Sequence, residues 1–418
     1  MILPVHLDKF HFVESFDQVG DRETTNKAVE FLQDRGIDLL LIYMGDYDVV
    51  SHESGGLSSE ALQSVGRLDH NLCALFAHID LSDTVLIVTS DHGHLDEGGH
   101  GGDEKVVLET PFVMAGSRVR PGSYPAIQQP DIAMTIASLL GMPFPRSGQG
   151  TPLYGFYDVS DSEREVGELA LVRQKSALAK AYLSSIHAEV LPRKVDAELA
   201  ELSELGAAEH FTDARVLAAT VLYEINEHIG DARATQINQN RLVRLPIALL
   251  VAVVILTSFV VNWRSHHRGS MLASVLAVSV FHLLYFVGGQ TYSWSTLGRT
   301  GVLPYFLAIM SGGGMISFLV GILAYRMMRA IRHRPTAFPS TFLSWLAAYS
   351  SGLLGLPYLL VLASYVANGK LGSWNFVSPT LSFLQSFSLL QVSISGLLAL
   401  LTMFVALIHS SSLKRTGI

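Results

Sequence analysis

The chain has 418 residues, with 29 Lys and Arg against 37 Asp and Glu and a net charge of −8. That acidic balance gives no footprint for nucleic acid, and the single cysteine, Cys73, excludes an intrachain disulfide framework. Hydrophobic residues make up 49% and the mean hydropathy is +0.34, but the apolar excess falls almost wholly after about residue 240: an acidic globular portion precedes long apolar runs.

Met1–Asp21 is irregular and lacks the basic and apolar regions of a signal peptide. Arg22–Arg35 reads as a helix, with Ala28, Phe31 and Leu32 on one face and Thr24 and Thr25 as caps at its start. Asp38–Met44 (DLLLIYM) is an apolar strand that runs into Gly45, Asp46 and Asp48, with His52 and Gly55–Gly56 beyond. Ser58–Ile79 has Leu62, Val65, Leu68, Leu72, Leu75 and Phe76 at helical spacing, and Cys73 within that pattern reads as a small core residue. Thr84–Val88 is a second buried strand, delivering Asp91, His92 and His94 and then a glycine-rich loop with His100 and Asp103. Pro111–Gly116 is a third strand and Asp131–Leu140 a helix closed by Gly141. This order implies an α/β sandwich with a largely parallel sheet.

Ser160–Gly230, rich in Ala, Leu and Glu, reads as two or three amphipathic helices. Five later runs are long enough to span a bilayer: Leu245–Trp263, Met271–Gly289, Val302–Tyr325, Thr341–Val366 and Thr380–Ile408. Arg264 and Arg268, then Arg326, Arg329, Arg332 and Arg334, then Lys414 and Arg415 follow alternate runs. The positive-inside rule puts those connections and the C-terminus in the cytoplasm, and the globular portion outside or in a lumen. The spans carry no carboxylate, so an anchor or lipid-handling module is favoured over an ion transporter.

Two apolar strands thus each deliver acid and histidine from the carboxyl end, where open α/β sheets place ligands. Adjacent parallel strands would bring three histidines and two or three carboxylates together, enough for two metal ions. Asp and His suit zinc, with first-row alternatives. Asp46, nearer the strand, competes with Asp48 as ligand.

The motifs Asp48-x-x-x-His52-x-x-Gly55, Ser90-Asp91-His92-Gly93 and Gly98-x-His100-Gly101-Gly102 occur in order. With Gln129-Pro130-Asp131-Ile132 through Gly141, Pro143, Pro145 and Ser147-Gly148, the chain from Asp38 to Gly150 resembles the alkaline phosphatase superfamily. The likeness is to its type I phosphodiesterase/nucleotide pyrophosphatase branch and to the GPI ethanolamine phosphate transferases. It implies an alkaline-phosphatase-like mixed, mostly parallel sheet flanked by helices over residues 1–157, a helical linker over 158–240, and a transmembrane domain of about five helices over 241–418. It implies that Asp48, His52 and His100 hold one divalent metal, and Asp91 and His92 a second, with Zn2+ as the natural ion. Asp46 and Asp103 would support them from behind.

The implied activity is a membrane-anchored phosphodiesterase or phosphoethanolamine transferase acting on an external or lumenal phosphoester. Its substrates would be phospholipids or glycolipids, as in GPI anchor biosynthesis, with a membrane-protein partner and no nucleic acid. The location would be the endoplasmic reticulum membrane in a eukaryote and the cell membrane in a prokaryote. The family's nucleophilic Thr or Ser, and a further metal-binding Asp, lie well upstream of the first motif. Only 47 residues precede Asp48, and none fits those roles. The expectation is therefore a chain lacking the front of the catalytic domain. The competing reading is a catalytically inactive, metal-binding membrane component or gene fragment. A sulfatase is disfavoured, since no C-x-P-x-R motif occurs.

Overall fold

The structure, a computed structural model, describes residues 9–34, 36–264, 268–287, 293–297 and scattered short groups between 312 and 408. Its contacts form two compact units. One comprises Met1–Val49, Gln63–His92 and Glu109–Gln239; the other comprises Val50–Leu62, Gly93–Leu108 and Asn240–Ile418.

In the first unit, α1 (Gln18–Leu32) starts at Asp17, whose carboxylate accepts the N–H groups of Val19 and Gly20. Asp17 displaces the expected start. Thr24 and Thr25 lie inside the helix, and Thr25 donates its hydroxyl to the Asp21 carbonyl at 2.7 Å instead of capping. α2 (Asp46–Ser54) and α3 (Ser59–Phe76) follow. On α3, Ser64 and Leu75 are buried, while Val65 and Phe76 are open. Cys73 is also exposed, not a core residue: the helix is turned so that Leu62, Val65 and Phe76 face outward while Leu75 faces inward.

β1 (Val85–Thr89), α4 (Lys105–Leu108) and β2 (Phe112–Gly116) come next. β1 and β2 pair antiparallel, from Val85 opposite Gly116 to Thr89 opposite Phe112. The intervening loop therefore leaves and re-enters the sheet at the same end, and no crossover helix is needed. Among the described residues this two-stranded sheet replaces the expected mostly parallel one. Asp38–Met44 is in no ladder. Leu39, Leu41 and Tyr43 are 58%, 90% and 56% exposed. An unbroken apolar run favours extended backbone, but only a neighbouring strand makes it a β-strand.

α5 (Gln129–Leu139) is closed at its start by Asp131, whose carboxylate accepts the N–H groups of Gln128 and Thr151. α6 (Asp161–Ser185), α7 (Arg193–Ala207) and α8 (Phe211–Arg264) complete the series. A Ser160–Glu163 capping box starts α6. Val172 and Leu183 of α6, Val195 and Leu202 of α7, and Val221 and Ile225 of α8 form one buried core. Each such side chain contributes about 1.5–3 kcal/mol of burial. Three helices thus pack where two or three were expected.

In the second unit, α8 carries the one helix among the described residues that is long and apolar enough to cross a membrane. It contains the first expected span, Leu245–Trp263. α9 (Arg268–Val287) is a 20-residue apolar helix over the second. Small residues allow close packing there: Ala273 and Ala277 of α9 meet Phe318, Tyr349 and Leu353, and Ser258 and Ser351 share a 2.7 Å hydroxyl contact. The expected spans Val302–Tyr325, Thr341–Val366 and Thr380–Ile408 fall largely outside the described residues. A 3-10 turn, Trp294–Leu297, is described after α9.

Candidate metal centre

The first unit holds an acidic group around one histidine, His92. Asp21, 4% exposed, accepts the N–H groups of Gly45 at 2.8 Å and Asp46 at 3.2 Å, and so fixes the start of α2. Burial pushes the Asp21 carboxyl up, against the pull of those two bonds. Asp46 is occupied elsewhere: Arg67 holds its Oδ2 through Nε at 2.8 Å and Nη2 at 2.6 Å. Two residues further along α2, Asp48 brings Oδ1 to 4.0 Å from His92 Nε2. His92 Nε2 lies 3.7 Å from Asp91 Oδ2, but the Asp91 side chain is 70% exposed.

The strand end carrying these groups is pinned. Gln129 donates its side-chain amide to the carbonyls of Ser90 at 3.1 Å and Asp91 at 2.7 Å. Ser90 donates its hydroxyl to the His92 carbonyl at 2.6 Å. Negative charge accumulates here. The Tyr43 phenol is pushed up by partial burial and then by the carboxylates of Asp48, Asp91 and Asp21. A cation would relieve that repulsion.

The second unit, described by itself, holds a group of three imidazoles. After α2 the chain turns at Gly55, with φ of +100°. A Cβ on Gly55 would meet the Asp96 carbonyl oxygen at 2.5 Å, and one on Gly56 would meet the Leu95 carbonyl oxygen at 2.8 Å and His94 Cβ at 3.0 Å. The two glycines therefore let the His94–Asp96 backbone close against the end of α2, and the Gly56 N–H donates to the Leu95 carbonyl at 3.1 Å. The result is a three-ring cluster. His52 and His94 have centroids 4.9 Å apart, His52 and His100 4.9 Å, and His94 and His100 5.2 Å. His94 is buried. The Nε2 atoms of His52 and His100 are 3.2 Å apart.

That spacing fits metal ligation. Two nitrogens each about 2.0–2.1 Å from a tetrahedral zinc stand about 3.3–3.4 Å from each other. His94 and His100 likewise offer ligand atoms within 4.8 Å of each other, as do Asp48 and His92.

The structure thus brings Asp48 and His92 together in one unit, and His52 and His100 together in the other. Asp91 stands beside His92 but points largely to solvent. Asp46 is taken by Arg67, and Asp103 lies exposed in the loop after His100. His94 lies in the loop after β1 and packs against both other rings. The alternation Asp91-His92-Gly93-His94 was the available signal. Asp21 and Arg67 carried no signal without the fold, and Gln129 stood out only as part of a motif, since each acts on backbone or charge distant in sequence.

Residues 4–224 match the profile of the type I phosphodiesterase / nucleotide pyrophosphatase family. Among curated proteins, the chain is 26% identical over 218 residues to the human GPI ethanolamine phosphate transferase 3, catalytic subunit, covering 50% of this chain and 19% of that protein. It is 27% identical over 154 residues to the human GPI ethanolamine phosphate transferase 2, catalytic subunit (34% and 16%). It is 22% identical over 187 residues to GPI ethanolamine phosphate transferase 2 of Aspergillus fumigatus (40% and 24%). The matched region spans only 16% to 24% of these relatives. No solved structure gives a significant match. With the profile covering more than half of the 418 residues and the Asp and His motifs in place, this chain belongs to the type I phosphodiesterase / nucleotide pyrophosphatase family.

Proposed function

We propose that this chain forms the metal-binding part of a membrane-anchored enzyme that transfers a phosphoester group, with phosphoethanolamine transfer to a GPI-type glycolipid as the favoured reaction. The observation that carries this reading is the 3.2 Å approach of His52 and His100 Nε2 with His94 packed on both rings. Asp48, His52 and His100 would hold one divalent cation and Asp91 and His92 a second, with His94 an added donor beside the first. Two cations at such a site supply charge stabilisation for the non-bridging and leaving oxygens of a phosphoester and lower the pKa of a bound hydroxyl. The chain's own residues hold the ligands. Arg67 and Asp21 fix the first turn of α2, which carries Asp48 and His52. Gln129 fixes the carbonyls behind Asp91 and His92.

The proposed organisation is a catalytic portion over residues 1–157, a helical linker over 158–240 and a multi-span membrane domain over 241–418. The apolar α8 and α9 support it, as do the alternating arginine clusters of the sequence. The catalytic portion then faces the lumen of the endoplasmic reticulum, or the cell exterior, with the C-terminus in the cytoplasm. The names of the curated relatives support the transferase over the hydrolase.

The test is turnover of bis(p-nitrophenyl) phosphate by the detergent-solubilised chain with Zn2+ restored after chelation. Release of nitrophenol that disappears in His52→Ala supports the enzyme. A chain that binds zinc but releases none favours the metal-binding membrane component, and a chain that binds no zinc overturns this reading.

A further inference from the structure

The loop bearing His94 and His100 is gripped by a piece of chain far from it in sequence. Ser295 lies 193 residues beyond Gly102, and its hydroxyl oxygen accepts the Gly102 N–H at 2.9 Å. The same hydroxyl donates to Glu104 Oε2 at 2.7 Å. Ser293 accepts the Ser295 N–H at 3.2 Å and also bonds Glu104. Ser293 is 6% exposed and Ser295 is fully buried. The donors and acceptors run in one direction, from the Gly102 N–H to the Ser295 hydroxyl to the Glu104 carboxylate, so each bond polarises the next.

The steric fit is as close. A Cβ on Gly102 would stand 2.1 Å from Ser293 Oγ and 2.2 Å from Glu104 Oε2. A side chain here would have to displace the Ser293 hydroxyl and the Glu104 carboxylate that close over the turn, which gives a physical reason for glycine at this position. The other end of the loop is tied as well. The Gly93 N–H donates to the Val107 carbonyl at 2.8 Å, one turn of α4 beyond Glu104. Both imidazoles therefore lie between two fixed points, one next to His94 and one next to His100. Burial pushes the Glu104 carboxyl up, and the hydroxyls of Ser293 and Ser295 more than offset this, leaving it lowered.

We propose that Ser295 and Glu104 are positioning residues for the His52–His94–His100 cluster, so that the Ser293–Ser295 turn after α9 is a working part of the metal centre. The consequence for metal binding rests on the reading that these histidines hold a cation; the grip on the loop does not. Each pinned backbone bond removes freedom that the two rings would otherwise lose only when an ion arrives.

The test uses the full chain in nanodiscs as wild type, Ser295→Ala, Glu104→Ala, Glu104→Gln and His100→Ala. Amide hydrogen exchange is read in the metal-free chain and Co2+ affinity and visible absorption by titration. In Ser295→Ala and Glu104→Ala the Gly98–Glu104 segment should exchange at least tenfold faster, with β1 and β2 unchanged. Co2+ should bind 10–100-fold more weakly, the range for loss of a ligand-orienting group, with altered absorption bands. Glu104→Gln keeps an acceptor for Ser295 and should stay near wild type. Unchanged exchange in both alanine variants overturns the proposal, as does faster exchange with unaltered Co2+ affinity. If the wild type takes up no Co2+ that His100→Ala removes, the metal reading fails, and the exchange data alone decide whether the turn holds the loop.

Discussion

Arg67→Ala tests how α2 is held. The guanidinium meets Asp46 Oδ2 through two nitrogens, at 2.6 and 2.8 Å. The Asp46 side chain is 5% exposed and that of Arg67 35%. Removing one partner of a fully buried pair costs about 3–5 kcal/mol, because the other charge is left desolvated. Arg67 is one-third open to solvent, so screening lowers the expectation to about 2–3 kcal/mol. At 1.4 kcal/mol per factor of ten, local opening of α2 should become about 30–150-fold more frequent. Hydrogen exchange of the Asp46–Ser54 peptide reads this directly, whereas a chain with several folded parts has no single unfolding midpoint. Asp46→Ala/Arg67→Ala should open less often than Arg67→Ala alone, since the orphaned carboxylate is gone. A change below fivefold in Arg67→Ala, or a double variant worse than the single, would refute the buried-charge account.

Three further outcomes are expected. His94→Ala should weaken Co2+ binding to the full chain as much as His100→Ala does, measured by competition with a chromophoric chelator; equal affinity to wild type would return His94 to a packing role. Asp21 and Glu104 should respond to acid in opposite senses. Asp21 is raised, so its contribution is present below the ordinary Asp value of about 3.9 and is lost as pH rises through its higher folded value. Glu104 is lowered, so its contribution is present above the ordinary Glu value of about 4.3 and is lost as pH falls through its lower folded value. Between pH 6 and 3, exchange corrected for intrinsic rates should slow at the start of α2 and speed up in Gly98–Glu104, each trend vanishing in Asp21→Asn and Glu104→Gln. Gln129→Ala should free the Ser90 and Asp91 carbonyls and raise exchange around His92 several-fold, leaving the α6–α8 core untouched.

The candidate ligand residues stood out because metal chemistry favours Asp and His at such spacing. Asp48 and His52 are four apart and so share one face of a helix, and the glycines around His100 mark a loop that must bend sharply. The partners of those residues were not legible. Asp17 as a cap, Arg67 on Asp46 and Gln129 on the Asp91 loop each depend on which backbone lies nearby. The strand pairing also escaped, because DLLLIYM states that a segment is apolar and extended but not what lies beside it. Cys73 and Phe76 fit an apolar stripe by period, yet the face of α3 that is buried follows from packing. Ser295 lies beyond any reach of local pattern, 193 residues from the glycine it holds.

The measurement that bears most directly on the central claim is the zinc content of the purified full chain, beside His52→Ala, His94→Ala and His100→Ala. The account predicts bound zinc in the wild type that survives dialysis and falls by at least one ion per chain in every variant. A wild type without tightly held zinc, or variants that keep it all, would contradict a metal centre built on these three histidines.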